Sequence, residues 1–82
     1  MKRTKFHYNL IFRPEPEGGF TVLVPSLPGC ITYGRTLKKA QAMAQDAIEG
    51  YIESLRKHGE PIPDDAQNFI AHLDFDSAPA YA

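Results

Sequence analysis

Residues 20–40, FTVLVPSLPGCITYGRTLKKA, contain two strand patterns, the turn between them and the start of a helix. Alternating aromatic and β-branched residues predict a strand over 20–25, and the prolines and glycine of 25–29 are typical of a turn. A short strand is predicted over 30–33. Thr36 then suits a helix N-cap, because its hydroxyl can accept a hydrogen bond from a free helical N–H. This stretch therefore predicts two strands followed directly by a helix.

The helix predicted behind Thr36 covers 37–58. Its apolar residues recur at spacings of three and four, which gives one apolar stripe. The stripe consists of Leu37, Ala40, Ala44, Ala47, Ile48, Tyr51, Ile52 and Leu55. Basic residues at 56–58 suit the negative C-terminal end of a helix, and Gly59 and Pro61 stop it. The segment is therefore an amphipathic helix with one face toward a sheet.

Two further strands are predicted outside this stretch, over 5–13 and 69–76, from period-2 alternation of apolar and polar residues. The predicted fold is therefore α+β, in the order β-β-β-α-β, with an antiparallel-rich sheet and one helix packed on one face. A single helix covers one side of the sheet. Alternation places Ile11, Leu23 and Ile70 on the other side, which predicts a partly apolar uncovered face.

Composition limits the classes of function. The 82 residues predict a single domain over 1–82, and a net charge of -1 with a pI near 6.3 argues against nucleic-acid binding. The chain has a single cysteine and no apolar run long enough for a membrane span, so a cytoplasmic protein without a membrane partner is expected. Because so small a core stabilises a fold only slightly, a homo-oligomer, dimer or tetramer, is expected.

The chemically active residue types do not form a complete catalytic or metal constellation. His7 and His72 lack a third fixed zinc ligand, and Cys30 is better explained as a buried structural thiol. The predicted order is similar to part of the ribonuclease H fold, but two-metal cleavage needs converging carboxylates, and the first strand has none between Phe6 and Phe12. We therefore expect no enzyme activity, no catalytic residues, no metal site and no cofactor.

A resemblance to a known family rests on three motifs. Leu27-Pro28-Gly29-Cys30-Ile31-Thr32-Tyr33-Gly34, followed by Thr36-Leu37 and Ala40, closely resembles the signature of HicB-family antitoxins. The hairpin Glu15-Pro16-Glu17-Gly18-Gly19-Phe20 and the helix exit Gly59-Glu60-Pro61-Ile62-Pro63 also resemble it. The motifs keep the family's order from about Tyr8 to Pro63. Each alone is turn or cap chemistry, and together they are specific.

The resemblance implies a partial ribonuclease H-like fold without nuclease activity. It also implies a partner, a HicA-like mRNA-cleaving toxin, which an antitoxin of this type II system neutralises by covering its active site. Many family members carry a C-terminal DNA-binding domain, whereas only 77–82 follow the last predicted strand here, so this short form is not expected to bind nucleic acid directly. The alternative is an orphan oligomeric HicB-like module that binds a small ligand or another protein.

Partner-contacting residues are predicted from physics, since the family pattern fixes none of them. An RNA-cleaving toxin is expected to be basic, so exposed acids would steer its approach. Apolar side chains on the uncovered face would supply the buried area. The predicted contacts are Glu15, Glu17, Asp74, Asp76, Ile11, Leu23 and Ile70.

Overall fold

The computed structural model describes residues 5–79, and within them three strands are followed by one helix. The strands are β1 (Ile11–Pro14), β2 (Phe20–Leu23) and β3 (Ile31–Gly34), and the helix is α1 (Leu37–Lys57). The sheet has the order β1-β2-β3, with both pairs antiparallel. The α+β class and the β-β-β-α order are thus confirmed. The ends of the predicted 1–82 domain, residues 1–4 and 80–82, lie outside the described part.

The β1–β2 hairpin forms where turn chemistry predicts it. Its register pairs Ile11 with Leu23 and Pro14 with Phe20. The Glu15 N–H donates to the Gly19 carbonyl at 3.0 Å, and Gly19 has a φ of 80° that favours glycine. The first strand is shorter than the predicted 5–13, because β2 ends at Leu23 and offers no partner to residues before Ile11.

The loop between β2 and β3 folds inward. The Val24 N–H donates to the Cys30 carbonyl at 3.1 Å, and the Cys30 N–H donates to the Leu27 carbonyl at 2.9 Å. This tight loop buries Leu27 completely. It also corrects two predicted boundaries: the strand expected over 20–25 ends at Leu23, and the one expected over 30–33 runs over Ile31–Gly34.

The helix begins and ends at its predicted signals. Thr36 caps α1 by accepting a hydrogen bond from the Lys39 N–H at 3.0 Å. At the other end, the Glu60 N–H donates to the Leu55 carbonyl at 2.9 Å and closes the last turn. Across residues 5–79, no helix has both the length and the hydropathy that a membrane crossing requires.

The core lies between α1 and the sheet, in two connected clusters. One contains Val22, Ala40 and Ala44 and is flanked by Phe12 and Phe20. The other is built by Val24, Leu27 and Cys30 and is flanked by side chains that include Tyr8, Leu10, Ile48 and Tyr51. Small residues on the helix allow it to approach the sheet closely. A Cβ atom on Gly34 would lie 2.3 Å from the backbone N and Cα atoms of Ala40, so only glycine fits there.

The predicted fourth strand over 69–76 does not form in this chain. Residues 68–79 carry no regular secondary structure, and no backbone hydrogen bond joins 69–79 to the rest of the described residues. Phe69, Leu73 and Phe75 are 88%, 82% and 75% exposed. A strand needs a paired neighbour, and here the segment has the apolar alternation of a strand without a partner.

Candidate partner-binding surface

The side of the sheet opposite α1 carries a row of apolar side chains. Residues directly opposite one another on paired strands share a face, and the register places Ile11, Leu23 and Ile31 in one line across the sheet. Ile11 and Ile31 are 46% and 60% exposed. We call Ile11, Leu23 and Ile31 the apolar row. The prediction that Ile11 and Leu23 share the uncovered face is confirmed, and Ile31, which the sequence interpretation missed, completes the row.

A polar row adjoins the apolar row on the same face. Arg13, Thr21 and Tyr33 are cross-strand neighbours, and the Tyr33 hydroxyl donates to the Gly18 carbonyl at 2.9 Å. The Glu15 carboxylate accepts hydrogen bonds from the Thr21 hydroxyl and, at 3.4 Å, from Arg13 Nε. The Thr21 bond, followed by the bond and charge of Arg13, lowers the pKa of Glu15. Glu15 therefore stays ionised, but its charge is partly balanced by Arg13.

The other predicted contact residues occupy two different settings. Glu17 lies exposed in the turn between β1 and β2, near the polar row. Ile70, Asp74 and Asp76 lie in the extended segment after residue 68, where no strand places them beside the sheet. The structure therefore brings four predicted contact residues together on the β1–β2 hairpin: Ile11, Glu15, Glu17 and Leu23. The other three, Ile70, Asp74 and Asp76, lie outside the sheet.

A polar cluster that sequence reasoning missed centres on Asp65, which is 2% exposed. Its carboxylate accepts hydrogen bonds from the Ser26 hydroxyl, from the Asn9 N–H at 2.9 Å and from Asn68 Nδ2 at 2.9 Å. The Ser26 bond is the largest of the causes that lower the pKa of Asp65, and the Asn9 bond follows. Asp65 is thus a buried carboxylate that ties three separate segments together.

Neighbouring contacts extend this cluster along the chain that leads into β1. The His7 N–H donates to the Asp64 carboxylate at 2.8 Å, and the Asp65 N–H donates to the His7 carbonyl at 2.8 Å. The Tyr8 hydroxyl donates to the Pro63 carbonyl at 2.5 Å. We call residues 63–65, with the groups that they bind, the acidic clasp. The clasp accepts hydrogen bonds from the backbone N–H groups of His7 and Asn9, which precede β1 and have no partner in β2. The Asp64-Asp65 pair after Pro63 was its sequence signal.

The described residues favour structural over catalytic roles for the reactive side chains. Cys30 is buried, and desolvation raises the pKa of its thiol, which makes it a poor nucleophile. Ser26 bonds Asp65, but a carboxylate of lowered pKa is a weak base and activates a hydroxyl poorly. Within residues 5–79, no three His, Cys, Asp or Glu side chains converge to hold a metal ion. Cys30 and Ser26 therefore contribute to the packing of the loop and to the acidic clasp.

The acidic clasp gives a pH-dependent prediction. Asp65→Asn keeps the shape of the side chain but turns an amide NH₂ toward N–H and O–H donors, and we expect it to lower the free energy of unfolding by about 2 kcal/mol at pH 7. Because the folded pKa of Asp65 is depressed, its stabilisation is present above the unfolded value of about 3.9 and is lost as pH falls through the folded pKa. The difference in the free energy of unfolding between Asp65→Asn and wild type should therefore become smaller below about pH 4.

Urea unfolding across this pH range measures the effect. Asp46→Asn, on the exposed part of α1, is the matched control, with an expected change within about 0.5 kcal/mol. A gap between Asp65→Asn and wild type that stays constant from pH 7 to pH 3 would contradict the role assigned to the carboxylate.

Comparisons with known proteins agree with the family resemblance. A family model described as a HicB-like antitoxin of bacterial toxin–antitoxin systems matches residues 8–81. A UPF0150 protein of Thermoplasma acidophilum is 46% identical over 66 residues, which cover 79% of this chain and 96% of the relative. A UPF0150 protein of Synechocystis is 36% identical over 58 residues, which cover 71% of this chain and 73% of that relative. The chain therefore belongs to the HicB-like antitoxin family of bacterial toxin–antitoxin systems.

Proposed function

We propose that this protein neutralises a HicA-like mRNA-cleaving toxin by binding it and covering its active site, without chemistry of its own. Family membership supports the antitoxin role. The observation that carries the proposed mode of binding is the apolar row, which crosses all three strands on the face that α1 does not cover. A surface with an apolar centre and charged margins is typical of a protein-binding site.

In the proposed contact surface, apolar residues would provide buried area and acidic residues would provide electrostatic attraction. Ile11 and Ile31 expose branched side chains from a rigid sheet, so they lose little conformational freedom when a partner covers them. The acidic margin would attract a basic RNA-binding surface before contact. Glu17 is the stronger candidate for this steering, because Arg13 already balances part of the Glu15 charge.

The proposed setting is the cytoplasm, with the protein as a homo-oligomer. Cys30, the single cysteine, is a free buried thiol, which suits a reducing compartment. The residues that α1 contributes to the cluster around Val22 are the small Ala40 and Ala44, so burial in a monomer adds little to the free energy of unfolding. Self-association would add buried apolar surface to this small core.

Binding kinetics with a HicA-like toxin separate the apolar contribution from the acidic one. We expect Ile11→Ala to speed dissociation by about tenfold or more, because it removes an apolar anchor, while association changes little. Met43→Ala is the matched control, since Met43 is also 46% exposed but lies on α1. Glu17→Lys should instead slow association and weaken its dependence on salt. Surface plasmon resonance at two salt concentrations measures both rates.

Equal effects of Ile11→Ala and Met43→Ala on dissociation would contradict the assignment of the surface to the apolar row. Glu15→Lys is a less clean test than Glu17→Lys, because it also breaks the bonds to Thr21 and Arg13 that hold the hairpin.

A further inference from the structure

The segment 69–76 has the side-chain pattern of a buried strand but lies exposed. Phe69, Leu73 and Phe75 fall on one side by alternation, and all three are at least 75% exposed. The radius of gyration is 16.7 Å, whereas a compact domain of this length has about 12 Å. Burying a phenylalanine removes on the order of 200 Å² from water, so a partner that covered segment 69–76 would gain substantial stabilisation.

An open groove that could hold such a segment lies on the β1 side of the core. A groove of about 530 Å³ lies between residues 5–10 and α1, with Phe6, Tyr8 and Leu10 on one side. On the α1 side, Ile48 and Ile52 are interspersed with the polar residues Gln41, Gln45 and Glu49. The groove exists because α1 packs mainly over β3 and β2, while β1 is an edge strand. Its apolar side chains come from both sides, so it suits an extended occupant that places apolar side chains between Leu10 and Ile48 and polar ones toward α1.

The chain does not fill its own groove, because the turn after the acidic clasp leads it away. The Asn68 N–H donates to the Asp65 carbonyl at 2.9 Å, and Asn68 Nδ2 bonds the Asp65 carboxylate. These two bonds fix the direction in which residue 69 leaves the body. From there to residue 79, no hydrogen bond to the body is present among the described residues.

We propose that segment 69–76 of one copy lies in the groove of a second copy, and that the exchange is reciprocal. Each copy has one exposed apolar segment and one open groove, so a two-fold arrangement satisfies both at once. Phe69, Leu73 and Phe75 would face the groove, while Lys5 at the groove's rim would meet the Asp74 or Asp76 carboxylate. This inference deepens the proposed self-association and does not depend on the toxin.

Sedimentation equilibrium of the full chain tests the exchange. The wild type should form a dimer, and Leu73→Asp should raise the dimer dissociation constant by about 10³-fold, since a symmetric dimer loses two buried anchors of about 30-fold each. His72→Asp introduces a carboxylate on the opposite side of the same segment and should leave the dimer intact. Because Leu73 is exposed in the single chain, both variants should keep the helical circular dichroism signal of the wild type.

Two results would overturn the exchange: a wild type that sediments as a monomer up to high micromolar concentration, or a Leu73→Asp protein that dimerises as well as His72→Asp does. Hydrogen-exchange protection of residues 69–76 in a monomer would show that the segment pairs with its own chain instead. Toxin capture is scored separately on the same proteins, so a dimer that binds no toxin tells against the proposed function alone.

Discussion

Replacing Gly34 with alanine is expected to lower the free energy of unfolding by about 3 kcal/mol or more. The new methyl group would lie 2.3 Å from the Ala40 backbone, which cannot rotate away as a side chain can. The start of α1 would have to move off β3, and the cluster around Val22, Ala40 and Ala44 would open with it. Urea unfolding followed by circular dichroism measures the change.

Gly50→Ala is the matched control for this prediction. Gly50 lies inside α1, and a Cβ atom there would meet no neighbouring atom within 4 Å. Alanine at this position should therefore raise the free energy of unfolding by about 0.5–1 kcal/mol through helix propensity. If the two substitutions lower the free energy of unfolding equally, the claim that the α1 backbone lies against Gly34 is contradicted.

Leu27→Ala is expected to cost about 2–5 kcal/mol of unfolding free energy, the range for truncating a fully buried leucine. Leu27 is 0% exposed and packs with Val24 and Cys30 under the inward loop. The loop resists collapse around the cavity, because the Tyr51 hydroxyl holds the Pro28 carbonyl at 2.8 Å. Thermal and urea unfolding give the measurement.

Leu37→Ala tests the same chemical change at a leucine that is 55% exposed, where we expect a loss within about 0.5 kcal/mol. A loss for Leu27→Ala no greater than that for Leu37→Ala would show that the loop does not form part of the core.

Local signals explain which parts of the fold were predictable. The Thr36 cap, the end of α1 and the β1–β2 turn each depend on residues within a few positions, and all three form as predicted. The acidic clasp was not predictable in this way, because it joins Asp65 to Asn9 and Ser26 across long stretches of chain. A pair of aspartates in a polar loop is more often a solvated turn.

The fourth strand shows the limit of a periodicity argument. Alternation over 69–76 describes which side chains would share a face, but it does not specify the neighbour that must pair with them. The same reasoning placed Ile11 and Leu23 correctly, because β2 supplied a paired neighbour for β1. Ile70 has no such paired neighbour among residues 5–79. Ile31 follows the buried Cys30, and alternation along β3 was the signal that could have identified it.

Co-expression with a HicA-like toxin tests the central claim most directly. The toxin alone should arrest growth, and this chain should restore growth at equal protein levels and co-purify with the toxin. Ile11→Ala should restore growth less well than Met43→Ala, because only Ile11 belongs to the apolar row. Growth arrest that persists while both proteins accumulate, with no complex recovered, would contradict the antitoxin account and favour an oligomeric module with another partner.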